Sequence, residues 1–172
     1  MNTLEREIEF RGKAKNRENT WFFGDLRVSK GKCWIFPRDE EPAIDKHRVI
    51  PKTVGQFTGL TDRKGTKIYE GDIVRRQRRG FIGNALKDEY DFGVVYYDDD
   101  VGAFGYREFP LDYLQIFDKI GTEDIEVIAN YHDNPELTKW KFKKTGKNSG
   151  SYVPIPIVDT DKQRGVKRCL HR

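Results

Sequence analysis

Between Gln56 and Arg76 the chain reads QFTGLTDRKGTKIYEGDIVRR, and this stretch limits the fold more than any other. Its apolar residues come in short runs. Each run is closed by a polar turn holding glycine, first Asp62-Arg63-Lys64-Gly65 and then Glu70-Gly71-Asp72. An amphipathic helix needs apolar residues every three or four positions over a longer, glycine-free span. None is available here, so the stretch predicts short strands joined by tight turns, with glycine where the backbone goes left-handed.

The same punctuation continues along most of the chain. Residues 7–11 alternate polar and apolar; 21–26 and 33–36 flank the turn at 29–32; 53–58 is extended. Residues 91–97, the strongest strand, turn through Asp98-Asp99-Asp100 into 103–109, and 124–130 alternates again. Residues 111–117 fit a helical turn or a strand. Asn134-Pro135-Glu136 has the form of a helix start, with Asn as cap, Pro in the first turn and an acid beside it. A helix of about two to three turns is expected from there toward Gly146. Turn signals roughly every 8–12 residues and one late helix indicate a mainly antiparallel β fold.

Composition sharpens this. Charged residues are 35% of the 172 and hydrophobic ones only 36%, which keeps the core small, while 22 aromatics argue for a folded, strand-rich body. No apolar run approaches the roughly 20 residues of a membrane helix. The N-terminus lacks the apolar segment of a signal peptide. Cys33 and Cys169 stand far apart outside any CxxC, and a reduced, cytoplasmic protein is expected. The formal charge of +4 divides unevenly. From Lys139 onward ten Lys/Arg face two Asp, a net +8, so the preceding body carries −4. The basic character belongs to the tail and to one arginine cluster.

That cluster, Arg75-Arg76-Gln77-Arg78-Arg79, places four guanidiniums on what reads as a loop leaving a strand, and arginine suits phosphate geometry. It is the first candidate for binding nucleic acid, although the acids between Lys87 and Asp91 offer neutralisation. Trp140, Lys141, Lys143 and Lys144 mix bases with an aromatic on the expected helix and form a second candidate. Other chemistry is thinner. The glycines fit neither the P-loop nor the dinucleotide pattern. The Asp98–Asp100 run lacks the alternation of a calcium loop, and His47 and His132 have no catalytic or metal-binding motif around them. No metal, cofactor or catalytic residue is expected. Tyr131-His132-Asp133, just before the expected helix, reads as capping or packing.

Residues 49–65, continuing through Ile68-Tyr69-Glu70-Gly71-Asp72-Ile73-Val74, resemble the core signature of the YopX family. Glu9-Phe10-Arg11-Gly12-Lys13 with Trp21 resembles its opening strand. Ile125-Glu126-Val127-Ile128-Ala129-Asn130 with Asn134-Pro135-Glu136-Leu137 resembles its closing element, with Ala129 where glycine is common. The resemblance covers residues 5–138 and implies a phage or prophage protein with no defined activity and no catalytic residues to carry over. The G-D-I-V element after a tight turn recurs in SH3-like barrels. The expected architecture is therefore a small antiparallel SH3-like β-barrel (51–130) with added N-terminal strands (5–50), a helix start at 134, and the end of that helix with a mobile basic tail over 139–172. Gly59, Asp62, Gly65, Gly71 and Asp72 are expected to shape its turns. Phe57, Leu60, Ile68, Tyr69, Ile73 and Val74 are expected to build its core.

Function is expected to be non-enzymatic: a binding or adaptor module acting on a protein partner or on itself. Nucleic-acid binding through the arginine loop and basic tail is the alternative, and an enzyme the remotest.

Overall fold

The computed structural model describes residues 7–40, 47–82, 85–109, 113–117, 122–139, 141–144 and 152–155. Its strands are antiparallel and form two main sheets. The first holds β1 (Phe10–Lys13), β2 (Trp21–Ser29), β3 (Lys32–Phe36), β4 (Arg48–Val49), β5 (Gly55–Thr61) and β6 (Lys67–Tyr69), in the order β4-β3-β2-β1-β5-β6. The second holds β7 (Asp72–Ile82), β8 (Ala85–Asp98), β9 (Ala103–Phe109), β10 (Tyr113–Ile116) and β11 (Ile125–Asn130), in the order β10-β9-β8-β7-β11. A separate ribbon pairs β12 (Lys141–Lys144) with β13 (Tyr152–Ile155).

Each sheet gathers its own apolar cluster. Ala14, Phe22, Cys33, Ile35 and Val49 close the first. Ile68, Val74, Val95, Phe104, Tyr106, Phe117 and Ile125 close the second. Ile68 is the telling member, because it lies on β6 of the first sheet yet packs into the second cluster. The β5–β6 hairpin therefore leans across the end of the second sheet.

Two aspartates fix that lean. Asp62 Oδ1 accepts the amides of Lys64 (2.8 Å) and Thr66 (2.9 Å), which folds the turn, while its Oδ2 accepts the Val127 amide of β11 at 3.0 Å. Burial alone would raise the Asp62 pKa. The amides of Val127, Thr66 and Lys64 outweigh it and hold the carboxyl below its usual range. At the next corner Asp72 Oδ2 accepts the Tyr69 amide at 2.8 Å, and its Oδ1 meets the Arg11 guanidinium of β1 at 2.7 Å. Gly71, at φ +80°, stands between them. Its amide donates to Val95 O (2.9 Å) and its carbonyl accepts from Tyr131 N (2.8 Å). Gly59 and Gly65 are also left-handed, so all three expected turn glycines use the conformation that glycine tolerates best.

The structure departs from sequence expectation at several points. Closure of the second sheet into a barrel is not found among the described residues, where β10 and β11 remain its edges. The expected helix after Asn134 is a single 3-10 turn, Pro135–Lys139, followed by β12. A cap and a proline start either kind of turn. The alternation Lys141-Phe142-Lys143 then suits a strand, and β13 supplies its partner. Part of the supposed tail is thus paired, while residues 145–151 and 156–172 lie outside the described residues. Residues 113–116 resolve as a strand, and the arginine loop is the continuation of β7. Of the expected core set, Phe57, Ile68, Tyr69, Ile73 and Val74 are buried, but Leu60 is 36% exposed. The register of β5 shifts between Phe57 and Thr61, around Gly59, and frees Leu60 from the core.

Any side chain at Gly71 must adopt a backbone conformation that costs roughly 1–2 kcal/mol even though the neighbouring atoms leave room for a Cβ. Gly71→Ala is expected to lose about that much in equilibrium unfolding, and the β-branched Gly71→Val more. An unchanged melting temperature for Gly71→Val would refute this role.

Candidate functional site

The pairing of β7 with β8 decides what the arginines can do. Its register sets Arg76 opposite Asp91, Arg78 opposite Glu89 and Arg79 opposite Asp88, so each basic position faces an acidic one. Arg78 Nε reaches Asp91 Oδ2 at 2.7 Å. Arg75 lies on the other face, donates to Glu126 Oε2 at 2.8 Å and places its guanidinium 5.0 Å from the Tyr90 ring centroid. Glu126 is shared with Lys64 (2.7 Å) and with Arg63. Hydrogen bonds from Lys64 and Arg75 lead in pulling its pKa down to about 2. A phosphate arriving at this strand meets Arg75 and Arg78 already bonded to carboxylates.

Along the second sheet's inner face, polar groups follow the apolar cluster. Asp91 and Glu108 are both buried, and Gln115 Nε2 lies 3.3 Å from Glu108 Oε2. Burial first, and then the charge of Glu108, push the Asp91 pKa up to about 6 against the pull of Arg78 and Arg76. Burial likewise pushes the nearby Tyr106 hydroxyl up to about 12.

Beyond Gln77, whose amide bonds Asp124 O, no strand among the described residues flanks β7. Before Phe92, none flanks β8 on its other edge. From Arg78 to Ile82 the two strands therefore run on as a two-stranded arm roughly 17 Å long. In sequence its end carries Phe81, Ile82, Ala85 and Leu86. At the opposite end of β8 the hairpin with β9 and the bulged part of β5 enclose an open groove of about 720 Å³, in which Glu7 and Thr58 stand among apolar side chains. Phe57, Leu60, Tyr97, Phe104, Ile116 and Phe117 line it. Leu60, Tyr97 and the neighbouring Val101 are 36%, 42% and 55% exposed.

The remaining sequence candidates scatter. Trp140 lies outside the described residues, and Lys141, Lys143 and Lys144 fall on β12. His47 is fully buried, between the rings of Phe22 and Phe36 and with Glu40 at 3.3 Å. Asp98 closes its own turn by accepting the Val101 amide at 2.9 Å. Among the described residues no cluster of His, Cys, Asp or Glu suits a metal ion. None of their helices is long and apolar enough to cross a membrane. Sequence reasoning missed the apolar groove, since β5 and the β8–β9 hairpin meet only through the fold. It also missed a junction of rings and cations at β1, β2 and the end of β11, where Trp21, Tyr131 and His132 come together.

Raising the pKa of Asp91 from its ordinary 3.8 to about 6 means that the folded state holds this proton more tightly than the unfolded chain. Its contribution to stability is therefore greatest below about pH 4 and falls as pH rises through about 6, by on the order of 2–3 kcal/mol. Asp91→Asn is expected to flatten that slope in denaturant titrations across the interval. Parallel slopes for the variant and the parent would rule the assignment out.

Comparison with known proteins agrees with the motif resemblance. The sequence profile of the family described as YopX protein matches residues 9–139. A crystal structure of protein EF1440 from Enterococcus faecalis is 21% identical, covering 77% of this chain and 99% of that one, with a TM-score of 0.37. A search of the curated proteins finds no match.

Proposed function

The chain belongs to the YopX family, and we propose that it is a non-enzymatic binding module that assembles with further copies of itself, the β7–β8 arm of one copy seating in the apolar groove of the next. In this reading the second sheet, with β6 leaning over its end, serves as an SH3-like body presenting the groove. The assembly acts as an adaptor in the bacterial host cell of a phage or prophage.

The carrying observation is the placement of arm and groove at opposite ends of one strand. Leu86 and Tyr97 are eleven residues apart on β8, roughly 36 Å. The arm cannot turn back into its own groove, yet both features favour cover. A two-stranded ribbon is marginal by itself, and an open apolar groove is costly to leave in water. A contact that pairs different surfaces of two copies propagates head to tail and closes as a ring when the rotation allows.

The alternative reading, nucleic acid held by Arg75, Arg76, Arg78 and Arg79, has less support. It requires phosphates to displace Glu126 and Asp91 from their arginines.

Two variants test the assembly together. Leu60→Glu spoils the groove and spares the arm, while Phe81→Glu spoils the arm and spares the groove. By sedimentation velocity at micromolar concentration the parent chain is expected to associate and each variant to be monomeric. Their mixture should form a one-to-one dimer and nothing larger, because one good arm and one good groove remain. A monomeric parent, or a mixture that stays monomeric while the parent associates, would contradict the reading.

A further inference from the structure

We propose that the ring cluster of Trp21, His132 and Tyr131, with Lys13, Lys15, Arg17 and Lys52 around it, is a contact surface for single-stranded nucleic acid, independent of the arm and the groove.

The β1–β2 register places Lys13 opposite Trp21. Asp133, following β11, takes both the Lys13 ammonium (2.6 Å) and the Trp21 indole N–H (2.9 Å), so one carboxylate fixes a cation and a ring side by side. The Trp21 and His132 centroids are 6.3 Å apart, and those of His132 and Tyr131 are 5.1 Å apart. From the protein side the Arg11 guanidinium covers Trp21 at 5.2 Å. Tyr131, at the outer end of the row, is 43% exposed. Next to Lys13 the β1–β2 loop forms a concavity of about 520 Å³ lined by Lys13, Lys15, Asn16, Arg17, Glu18 and Asn19. Among the described residues no ion pair engages Lys15, Arg17 or Lys52.

Lys13 and Lys52 thus stand near rings set at 44° and 70° to one another, and Lys15 and Arg17 line the adjoining concavity, with the Arg17 guanidinium 5.9 Å from the Phe22 ring centroid; the acids on this side are Glu18 and Asp133. Burial lowers the His132 pKa first, and Arg11, Lys52 and Lys13 lower it further against Asp133. Rings that accept any base by stacking, interleaved with cations for the backbone, are the chemistry of single-strand recognition. A duplex keeps its base faces covered and can use only the cations.

Fluorescence anisotropy with a labelled oligothymidylate, using the full chain, provides the test. The parent is expected to bind, to prefer the single strand over a duplex of the same length, and to lose affinity with salt at a log–log slope of about −1.5 to −3, the value for two to four phosphate contacts. Lys15→Glu/Arg17→Glu should weaken binding about tenfold or more and flatten the slope. Tyr131→Ala should weaken it about fivefold or more without changing the slope. Circular dichroism checks that each variant is folded, and both substitutions lie at exposed positions. Affinity unchanged in the combined triple variant would place binding on the basic tail or elsewhere and overturn the proposal. So would equal binding of the duplex, equal displacement by inorganic polyphosphate (a polyanion without bases), or no binding by the parent.

Discussion

Everything else in this fold leans on the meeting of Arg11 and Asp72. Arg11 comes from β1, at the middle of the first sheet, and Asp72 opens β7, which lies between β8 and the edge strand β11 in the second. The guanidinium reaches the carboxylate at 2.7 Å and the Glu70 carbonyl at 3.0 Å, and lies 4.8 Å from the Tyr69 ring centroid and 5.2 Å from that of Trp21. Burial leads in raising the Asp72 pKa, against the pull of Arg11 and of the Tyr69 amide. Such a pair specifies geometry. It fixes where one sheet crosses the other, and with that the lean of the β5–β6 hairpin, the groove beneath it and the position of Trp21.

Much of the plan could be read from the chain because its determinants are local. Gly59, Gly65 and Gly71 announce left-handed turns, and Asp62 closes its turn with amides two and four residues on. The alternation at 91–97 has a strand's period whatever surrounds it. What escaped reading depends on partners distant in sequence. Asp62 reaches Val127 sixty-five residues away, and Arg11 reaches Asp72 across the two sheets. The arginine run looked like an exposed loop because charge density was visible and cross-strand register was not. Once β8 is in place, Asp88, Glu89 and Asp91 stand opposite it. The helix expected after Asn134 failed for a related reason: the cap signal is genuine, but it opens only one 3-10 turn before β13 claims the following residues.

The candidate surfaces were less legible still. Leu60 belongs to a family-like signature, and an apolar side chain there suggested core; the shifted register around Gly59 turns it outward to line the groove instead. Trp21 and Tyr131 are far apart in sequence and share no motif. Only the antiparallel return of β11 beside β7, with the Tyr131 amide bonded to Gly71, brings them onto one side of the junction. The two surfaces are chemically unlike, one apolar and one basic and aromatic, and they depend on the same corner for their shape.

The measurement that bears most directly on this account is a double-mutant cycle across the corner, by equilibrium unfolding of Arg11→Leu, Asp72→Asn and the double variant. Removing either partner alone leaves the other buried without compensation and is predicted to cost about 3–5 kcal/mol. The double variant should cost clearly less than the sum of the two. Additive losses, or single variants within about 0.5 kcal/mol of the parent, would show that the two sheets are held together by something other than this pair.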